Sequence, residues 1–454
     1  MTNQSIEIEE PPTLQIQLDI SIIIRPLTMF FLKTWRSTVF GVYGYLNFTK
    51  SGFIEHSKKF KPEDMLTRLN EKNCIVTGAN SGLGFATAEG LASRGATVYM
   101  VCRNKERGEA ALSKIQSTTG NQNVHLEVCD LSSVSEIKSF ASRFSSKDVP
   151  IHILVNNAGL LEHKRVTTSE GFELNFSVNV LGTYSITELM LPLVEKAAPD
   201  ARVITVSSGG MYTAPLTTDL QYSDSNFNGV DQYARNKRVQ FVLAFVFSCV
   251  LEELRVLGFM VTGLTGNTET VGGTSKDLSE VGNLVKMLGF ITDHIVLEAA
   301  PLFGLISTNL TGLHSEGARA YRCQSIEESL GEAGIQMESA ENPIVALTEK
   351  WAEMYKNKGI GFYSMHPGWA ETPGVAKSLP GLSERLSGNL RTSEEGADTI
   401  IWLALQPKEK LVSGAFYFDR AEAPKHLMFS ATGGSHVVID SVVDGLRSLS
   451  ALSS

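Results

Sequence analysis

Short runs of apolar residues recur along the chain, and the first leads through a glycine-rich turn into a helical pattern over residues 82–94. Such runs are typical of buried strands in a parallel sheet, whose side chains are covered on both faces. Strands that alternate with helices predict an α/β protein with a doubly wound parallel sheet. The predicted strands are residues 73–76, 97–101, 124–128, 151–155 and 202–206.

Two segments compete for a sixth strand. Residues 259–264 lie nearer to the fifth strand in sequence, so the loop that joins them costs less entropy to close. The advantage is small, because this cost grows only as the logarithm of loop length. Residues 360–365 lead into a Pro-Gly turn and then to Thr372. We predict residues 360–365 as the strand, because they alone carry that turn.

The turn after the first strand is rich in glycine. Gly78, Gly82 and Gly84 let the backbone approach a ligand closely, and the following helix points the positive end of its dipole at the same place. This pattern predicts a Rossmann-type site for the pyrophosphate of a dinucleotide. The predicted cofactor-binding residues here are Thr77, Gly78, Asn80, Ser81, Gly82, Leu83 and Gly84.

The second strand is followed by Arg103, where an NAD-preferring site would place an acidic residue. Arg103, alone or with Lys105, can instead pair with a 2′-phosphate. We therefore predict NADP(H) as the cofactor in preference to NAD(H). After the third strand, Asp130 and Leu131 are predicted to lie beside the adenine, although a cap on the next helix is an equal alternative for Asp130.

Polar residues follow the fourth and fifth strands and lead to a Tyr-x-x-x-Lys spacing. Reduction of a carbonyl leaves an alkoxide that must be protonated, and Tyr233 can supply the proton if its pKa falls from the usual value of about 10. Lys237 lies one helical turn away, and its charge favours the ionised phenol. We expect Ser208 to bond the substrate oxygen and Asn179 to hold a water that links Lys237 to solvent. The residues assigned to cofactor binding in this part are Asn157, Ala158, Gly159, Tyr233 and Lys237.

These motifs together resemble the short-chain dehydrogenase/reductase family over about residues 72–420, apart from one interruption. Finer matches over residues 47–52, 202–211 and 365–374 favour one branch of it. The resemblance implies an NAD(P)-dependent oxidoreductase, with a lipophilic carbonyl or alcohol as the expected substrate, and a homo-oligomer is a possible assembly. The implied catalytic residues are Asn179, Ser208, Tyr233 and Lys237, and the implied neighbours of the nicotinamide are Pro367, Gly368 and Thr372.

The interruption falls in the helix that begins near Tyr233. In the family this helix continues into the sixth strand, but here a helical continuation returns only at residue 345. We favour a retained intron or a misplaced exon boundary over an additional domain as the origin. A catalytically impaired isoform or a cofactor-binding pseudoenzyme is therefore the alternative function. The predicted parts are a disordered extension (1–28), an amphipathic segment (29–70), one catalytic domain (71–240 and 345–425), the insertion (241–344) and a tail (426–454).

An apolar stripe runs along one face of a predicted helix over residues 27–48. It includes Trp35, Val39 and Leu46, with Arg36 nearby. The stripe fits two situations equally: a helix on a membrane surface, or a helix that packs on the protein's own sheet.

Charge and cysteine content narrow the functional class. The 454 residues carry a formal net charge of −9, with acidic and basic residues mixed and no basic stripe, which argues against nucleic acid. The five cysteines lack a Cys-x-x-Cys spacing and are expected to be reduced. No metal site is predicted. The acidic first ten residues are unlike a signal peptide, so we predict a cytoplasmic protein, with peripheral membrane contact as a possibility.

Overall fold

A computed structural model describes residues 21–214, 219–222, 227–238, 348, 351–352, 354–355, 358–425, 427 and 436–451. Within these residues the chain forms one sheet in the order β3-β2-β1-β4-β5-β6-β7-β8. All neighbours are parallel except β7 and β8. The strands are β1 (Asn73–Thr77), β2 (Thr97–Cys102), β3 (Val124–Val128), β4 (Ile153–Asn156), β5 (Ala201–Val206), β6 (Ile360–His366), β7 (Phe416–Phe418) and β8 (Ala421–Glu422).

Helices cover both faces of this sheet, which confirms the predicted doubly wound α/β class. The described helices are α1 (Ser21–Asn47), α2 (Lys50–Ser57), α3 (Gly82–Ala92), α4 (Lys105–Thr119), α5 (Val134–Ser145), α6 (Leu174–Phe176), α7 (Thr183–Glu195), α8 (Gly229–Arg238), α9 (Pro373–Ser378), α10 (Pro380–Arg385), α11 (Ser393–Leu405) and α12 (His436–Ser450). A π-helix (Ser177–Gly182) joins α6 to α7, and short 3₁₀ helices span Pro62–Met65, Gly209–Tyr212 and Lys408–Lys410.

The sixth strand is the predicted one. β6 pairs in parallel with β5, with Val206 opposite Met365, and every β6 residue is buried. The competing residues 259–264 lie outside the described residues, as does the whole insertion at 241–344.

Two apolar layers form the core on opposite faces of the sheet. Helices α5 and α7 supply one layer, and α3, α4 and α11 supply the other. Helix α12 joins the first layer through Val442, Val443 and Leu446, which are at most 5% exposed. The segment predicted as a tail therefore contains a helix that packs into the core.

Helix α1 begins at Ser21, before the predicted boundary at residue 28, and its last turns pack on the fold. Gly44 permits this contact, because a Cβ there would lie 2.5 Å from Trp369 Cζ2. Trp35 and Leu46, from the predicted apolar stripe, are 44% and 58% exposed. Packing on the protein's own fold is thus observed for the end of α1, while contact with a membrane surface stays a prediction.

The end of α1 contributes to an aromatic cluster at the carboxyl edge of the sheet. Rings meet there edge to face, as Tyr43 does with Phe48 at 5.3 Å between centroids. The aromatic cluster comprises Phe40, Tyr43, Phe48, Tyr212, Trp369 and Phe418. Among the described helices, none combines the length and the apolar character required to cross a membrane.

Candidate active site

The glycine turn between β1 and α3 has the shape of a phosphate cradle. Gly78 and Gly82 adopt positive φ angles of 66° and 55°, which favour glycine. A Cβ at Gly84 would lie 2.3 Å from the Gly78 carbonyl oxygen and 2.5 Å from Asn157 Nδ2. Glycine at this position is therefore required for the close approach of α3 to the turn.

Hydrogen bonds join this turn to the one after β4. Thr77 Oγ1 accepts the backbone N–H groups of Asn157 and Ala158, both at 3.0 Å. Asn157 Nδ2 donates to the Thr77 carbonyl oxygen at 2.8 Å. The two predicted cofactor-binding turns are thus held as one unit at the carboxyl edge, and Gly159 follows directly.

The start of α3 fits an anionic ligand. Helices α4 and α5 begin with capping bonds from Asn104 and Ser133, whereas Ser81 at the start of α3 makes no side-chain cap. The backbone N–H groups of the first α3 turn, which includes Leu83, therefore face the phosphate cradle and donate no capping bond to the Ser81 side chain. Together with the glycine turn, which includes Asn80, this geometry fits a dinucleotide pyrophosphate.

The carboxyl ends of β2 and β3 bring Arg103 close to Asp130. Arg103 Nε lies 3.9 Å from Asp130 Oδ2, and the Arg103 side chain is 65% exposed. The alternative that Asp130 caps the next helix is wrong, because Ser133 Oγ accepts the N–H of Glu136 and caps α5 instead. Asp130 Oδ1 accepts the Ser132 N–H at 2.9 Å. Leu131 is buried against the π-helix.

Ser208, Tyr233 and Lys237 meet at the carboxyl end of β5. Ser208 begins the 3₁₀ turn after β5, and its side chain is hydrogen-bonded to that of Tyr233 on α8. Lys237 Nζ lies 5.7 Å from the centroid of the Tyr233 ring and donates to the Val206 carbonyl oxygen at 2.8 Å. The predicted serine, tyrosine and lysine are therefore brought together.

Burial moves the pKa values of the tyrosine and the lysine in opposite directions. It raises the pKa of Tyr233 above 10.0, and the hydrogen bond with Ser208 opposes this rise. It lowers the pKa of Lys237 from 10.5 to about 8. The expectation that Lys237 lowers the Tyr233 pKa stays a prediction, and in this structure burial is the largest influence on the pKa of the phenol.

Asn179 lies in the π-helix near the lysine. Its Oδ1 accepts the Leu160 N–H and its Nδ2 donates to the Leu160 carbonyl oxygen, both at 2.9 Å. A Cβ at Gly159 would lie 3.3 Å from Asn179 Oδ1 and 3.6 Å from Lys237 Nζ. Asn179 therefore joins the predicted site, but its amide fixes the chain after the Asn-Asn-Ala-Gly turn; the water relay stays a prediction.

The turn after β6 closes the other side of the cradle. Gly368 has a φ of 76° and follows Pro367. Thr372 caps α9 by accepting the Val375 N–H at 3.1 Å. A Cβ at Gly82 would lie 3.2 Å from Thr372 Cβ, so the predicted nicotinamide-side residue adjoins the glycine turn.

Comparison with known proteins agrees with this geometry. The family model described as short chain dehydrogenase matches residues 72–236. Dehydrogenase/reductase SDR family member 12 from Bos taurus is 32% identical over 417 residues, covering 91% of this chain and 98% of that protein. The chain belongs to the short-chain dehydrogenase/reductase family. It is therefore an NAD(P)-dependent oxidoreductase of this family that acts on CH–OH groups, as the sequence resemblance predicts.

Two further proteins match shorter parts of the chain. Retinol dehydrogenase 11 from Homo sapiens is 43% identical over 141 residues, covering 31% of this chain and 44% of that protein. Polyprenol dehydrogenase from Homo sapiens is 37% identical over 191 residues, covering 41% of this chain and 56% of that protein.

In this short-chain dehydrogenase/reductase, a buried arginine that sequence reasoning missed supports the Pro-Gly turn. Arg391 is 1% exposed and pairs with both carboxylate oxygens of Asp419, at 2.6 and 2.8 Å. It also donates to the carbonyl oxygens of Asn47 and Phe48, at 2.7 and 3.0 Å. A Cβ at Gly368 would lie 2.2 Å from Arg391 Nε. Arg391 thus joins the N-terminal helices to the cofactor side of the site, a link between distant segments that no local motif reveals.

His366 supports the serine loop of this family member. Its Nδ1 accepts the Gly209 N–H at 3.1 Å, next to Ser208. Burial, together with the charges of Arg391 and Lys237, holds the His366 pKa well below 6.5. The neutral ring is therefore a fixed acceptor for the loop.

Proposed function

We propose that the chain is an NADP(H)-dependent oxidoreductase that transfers hydride between the nicotinamide and a carbonyl or alcohol of a lipophilic small molecule. The observation that carries the proposal is the cluster of Ser208, Tyr233 and Lys237 beside the glycine cradle. This cluster pairs a proton donor with a dinucleotide site, which is the combination that carbonyl reduction requires.

The nicotinamide, when bound, supplies or accepts the hydride. In the direction of reduction, Tyr233 donates its proton to the carbonyl oxygen as negative charge develops there. Ser208 lies beside the phenol, and it turns its single O–H donor to the same oxygen and orients it. Lys237 lies one turn further along α8, where its charge favours the tyrosinate left after the transfer. In oxidation of an alcohol the same proton movements run backwards.

Arg103 supports a preference for NADP(H). Its exposed guanidinium lies at the end of β2, where the ribose of a dinucleotide is recognised in Rossmann-type folds. Arg103→Ala should weaken NADPH binding by about 1.5–3 kcal/mol and leave NADH binding nearly unchanged. Titration of protein fluorescence with each cofactor measures this, and Arg68→Ala is the matched loss of charge away from the site. Equal losses for NADPH and NADH would remove Arg103 from the role.

The names of two relatives support a lipophilic substrate. Retinol and polyprenol are long apolar alcohols, and the proteins named for them share sequence with this chain. The aromatic cluster adds support, because a Cβ at Gly209, next to Ser208, would lie 2.6 Å from the Phe48 ring and 3.1 Å from the Phe40 ring. The catalytic serine thus adjoins an apolar wall to which α1 contributes.

A second candidate is a chain that binds the cofactor without turnover. The observation that favours it is the position of the insertion, which follows α8 within a few residues of Lys237. Purified full-length protein should be incubated with NADPH and a panel of retinaldehyde, steroid ketones and simple aldehydes. Oxidation of NADPH by one of them supports the active enzyme, whereas cofactor binding without oxidation supports the second candidate.

A further inference from the structure

Glu173 is a buried carboxylate, 0% exposed, at the start of α6. Its Oε1 accepts the backbone N–H and the Nδ2 of Asn175, at 2.9 and 2.8 Å. Its Oε2 accepts the Phe176 N–H at 2.8 Å and Gln232 Nε2 at 2.9 Å. Because a carboxylate is an acceptor and all four partners are N–H donors, both oxygens are fully used.

The bonds to Asn175 and Phe176 fix the start of the helical segment that carries Asn179. Asn175 holds the backbone N–H and carbonyl oxygen of Glu162, at 2.7 and 3.1 Å. Asn179 holds the same two groups of Leu160. The two asparagines therefore hold successive parts of the loop that follows the Asn-Asn-Ala-Gly turn. Glu173 bonds directly to Asn175, and Asn179 lies four residues further along the same segment.

The fourth bond of Glu173 crosses to the catalytic helix. Gln232, also 0% exposed, directly precedes Tyr233 in α8, and its Nε2 donates a second bond to the Leu220 carbonyl oxygen at 3.1 Å. Helix α8 is described as far as Arg238, one residue beyond Lys237. The bond between Glu173 and Gln232 thus ties the amino-terminal half of α8 to the segment that carries Asn179, while Lys237 ties the last described turn of α8 to β5.

We propose that Glu173 is a positioning residue that couples the Asn179 segment to α8 and holds Tyr233 in place beside Ser208. This assignment rests on the proposed function, because it gives Glu173 a role in that reaction. Removal of one acceptor leaves a buried N–H unpaired, and the segment moves to satisfy it. A displacement of about 1 Å at a reacting group can lower a rate by about 10²-fold.

Two variants and one control test the proposal. Glu173→Gln replaces one acceptor oxygen with an N–H donor, and Gln232→Leu removes the link to α8 but keeps the bonds of Glu173 to Asn175 and Phe176. The control is Glu170→Gln, because Glu170 accepts the N–H groups of Val134 and Ser135, at 2.8 and 3.0 Å, and so supports α5 in the same chemical way.

Two readouts are combined. Amide hydrogen exchange across residues 229–238 reports the fixation of α8 without any turnover, and kcat and KM for NADPH report the reaction. We expect faster exchange in α8 and a loss of kcat of about tenfold or more, at nearly unchanged KM for NADPH, in Glu173→Gln and Gln232→Leu. Glu170→Gln should keep wild-type exchange in α8 and wild-type kcat, even if it melts at a lower temperature.

The outcomes separate this proposal from the proposed function. Absence of turnover in the wild-type protein contradicts the proposed function, while exchange in α8 still decides whether Glu173 holds that helix. Unchanged exchange in both variants overturns the proposal, and so does an equal effect of Glu170→Gln, which would report a general loss of stability. If the Glu173→Gln variant does not fold, amide exchange in α8 and kcat of the Gln232→Leu variant decide whether the proposal holds.

Discussion

At the scale of single residues, Tyr233 and Lys237 show what the spacing of a motif predicts and what it leaves open. The Tyr-x-x-x-Lys spacing predicts that both side chains lie on one side of a helix, and the structure places them together. The spacing carries no information about solvation. In the structure, burial disfavours the charged form of both side chains. The direction of the Tyr233 pKa shift therefore could not be read from the sequence.

The shifted pKa of Lys237 predicts a specific dependence of stability on pH. In the folded protein the pKa of Lys237 is about 8, whereas the ordinary value for a lysine, which applies to the unfolded chain, is 10.5. Below about pH 8 both states are protonated, and the folded state bears the full cost of a buried charge. Between about pH 8 and pH 10.5 the unfolded chain keeps a proton that the folded protein has released, so this residue's contribution to the free energy of unfolding rises with pH.

Lys237→Met removes this contribution. The free energy of unfolding of the variant minus that of the wild type should therefore decrease by up to about 3 kcal/mol from about pH 7 to about pH 10. Urea denaturation at both pH values measures it. Lys105→Met, at a lysine whose side chain is 65% exposed, is the control and should show no such trend. A difference independent of pH would contradict the shifted pKa.

At the scale of elements, the strands and the glycine turn could be predicted because their signals are local. Apolar runs mark β1 to β6, and Gly78, Gly82 and Gly84 mark a turn that needs close backbone approach. The link between the N-terminal helices and the Pro-Gly turn could not be predicted, because it depends on a contact between Arg391 and the backbone of Asn47, far away in sequence. The periodicity of α1 predicts a helix but not which of its faces packs.

Arg391→Met should destabilise the protein by about 3–5 kcal/mol, because Asp419 would remain charged and buried without its main partner. The free energy of unfolding from urea denaturation measures this. Lys196→Met is the matched control, since Lys196 pairs with Asp148 at the surface, and it should cost about 1 kcal/mol or less. Similar values for the two variants would show that Arg391 does not hold the N-terminal helices.

At the scale of the whole molecule, described residues before and after the insertion pack on the same sheet and helices. Helix α8 is tied to β5 through Lys237 and the Val206 carbonyl oxygen. On the far side, Trp351 stacks on Tyr184 and Phe362, and its Nε1 donates to Glu188 at 2.6 Å. The sequence could show that a family helix is interrupted, because the expected continuation returns only at residue 345. The sequence could not show what residues 241–344 form, because they carry no motif. These residues also lie outside the part of the chain that the structure describes.

Deletion of residues 241–344 joins Gln240 to residue 345. We expect the melting temperature and the turnover both to rise, because α8 then continues in sequence into a helical pattern whose Trp351 is already packed on the core. Differential scanning calorimetry and NADPH oxidation compare the deletion variant with the full chain. A lower melting temperature, or loss of NADPH binding, would show that the insertion is an integral part of the fold.

The most direct test of the proposed function is single-turnover oxidation of NADPH by the full chain and by Tyr233→Phe, with a carbonyl substrate from the panel. Tyr45→Phe, at a tyrosine 58% exposed on α1, is the control. Loss of the phenolic proton should slow the Tyr233 variant by about 10²-fold or more, with NADPH affinity retained, because general acid catalysis is worth about 10²–10⁴. Oxidation by Tyr233→Phe at the rate of the wild type would contradict the assignment of Tyr233 as the proton donor.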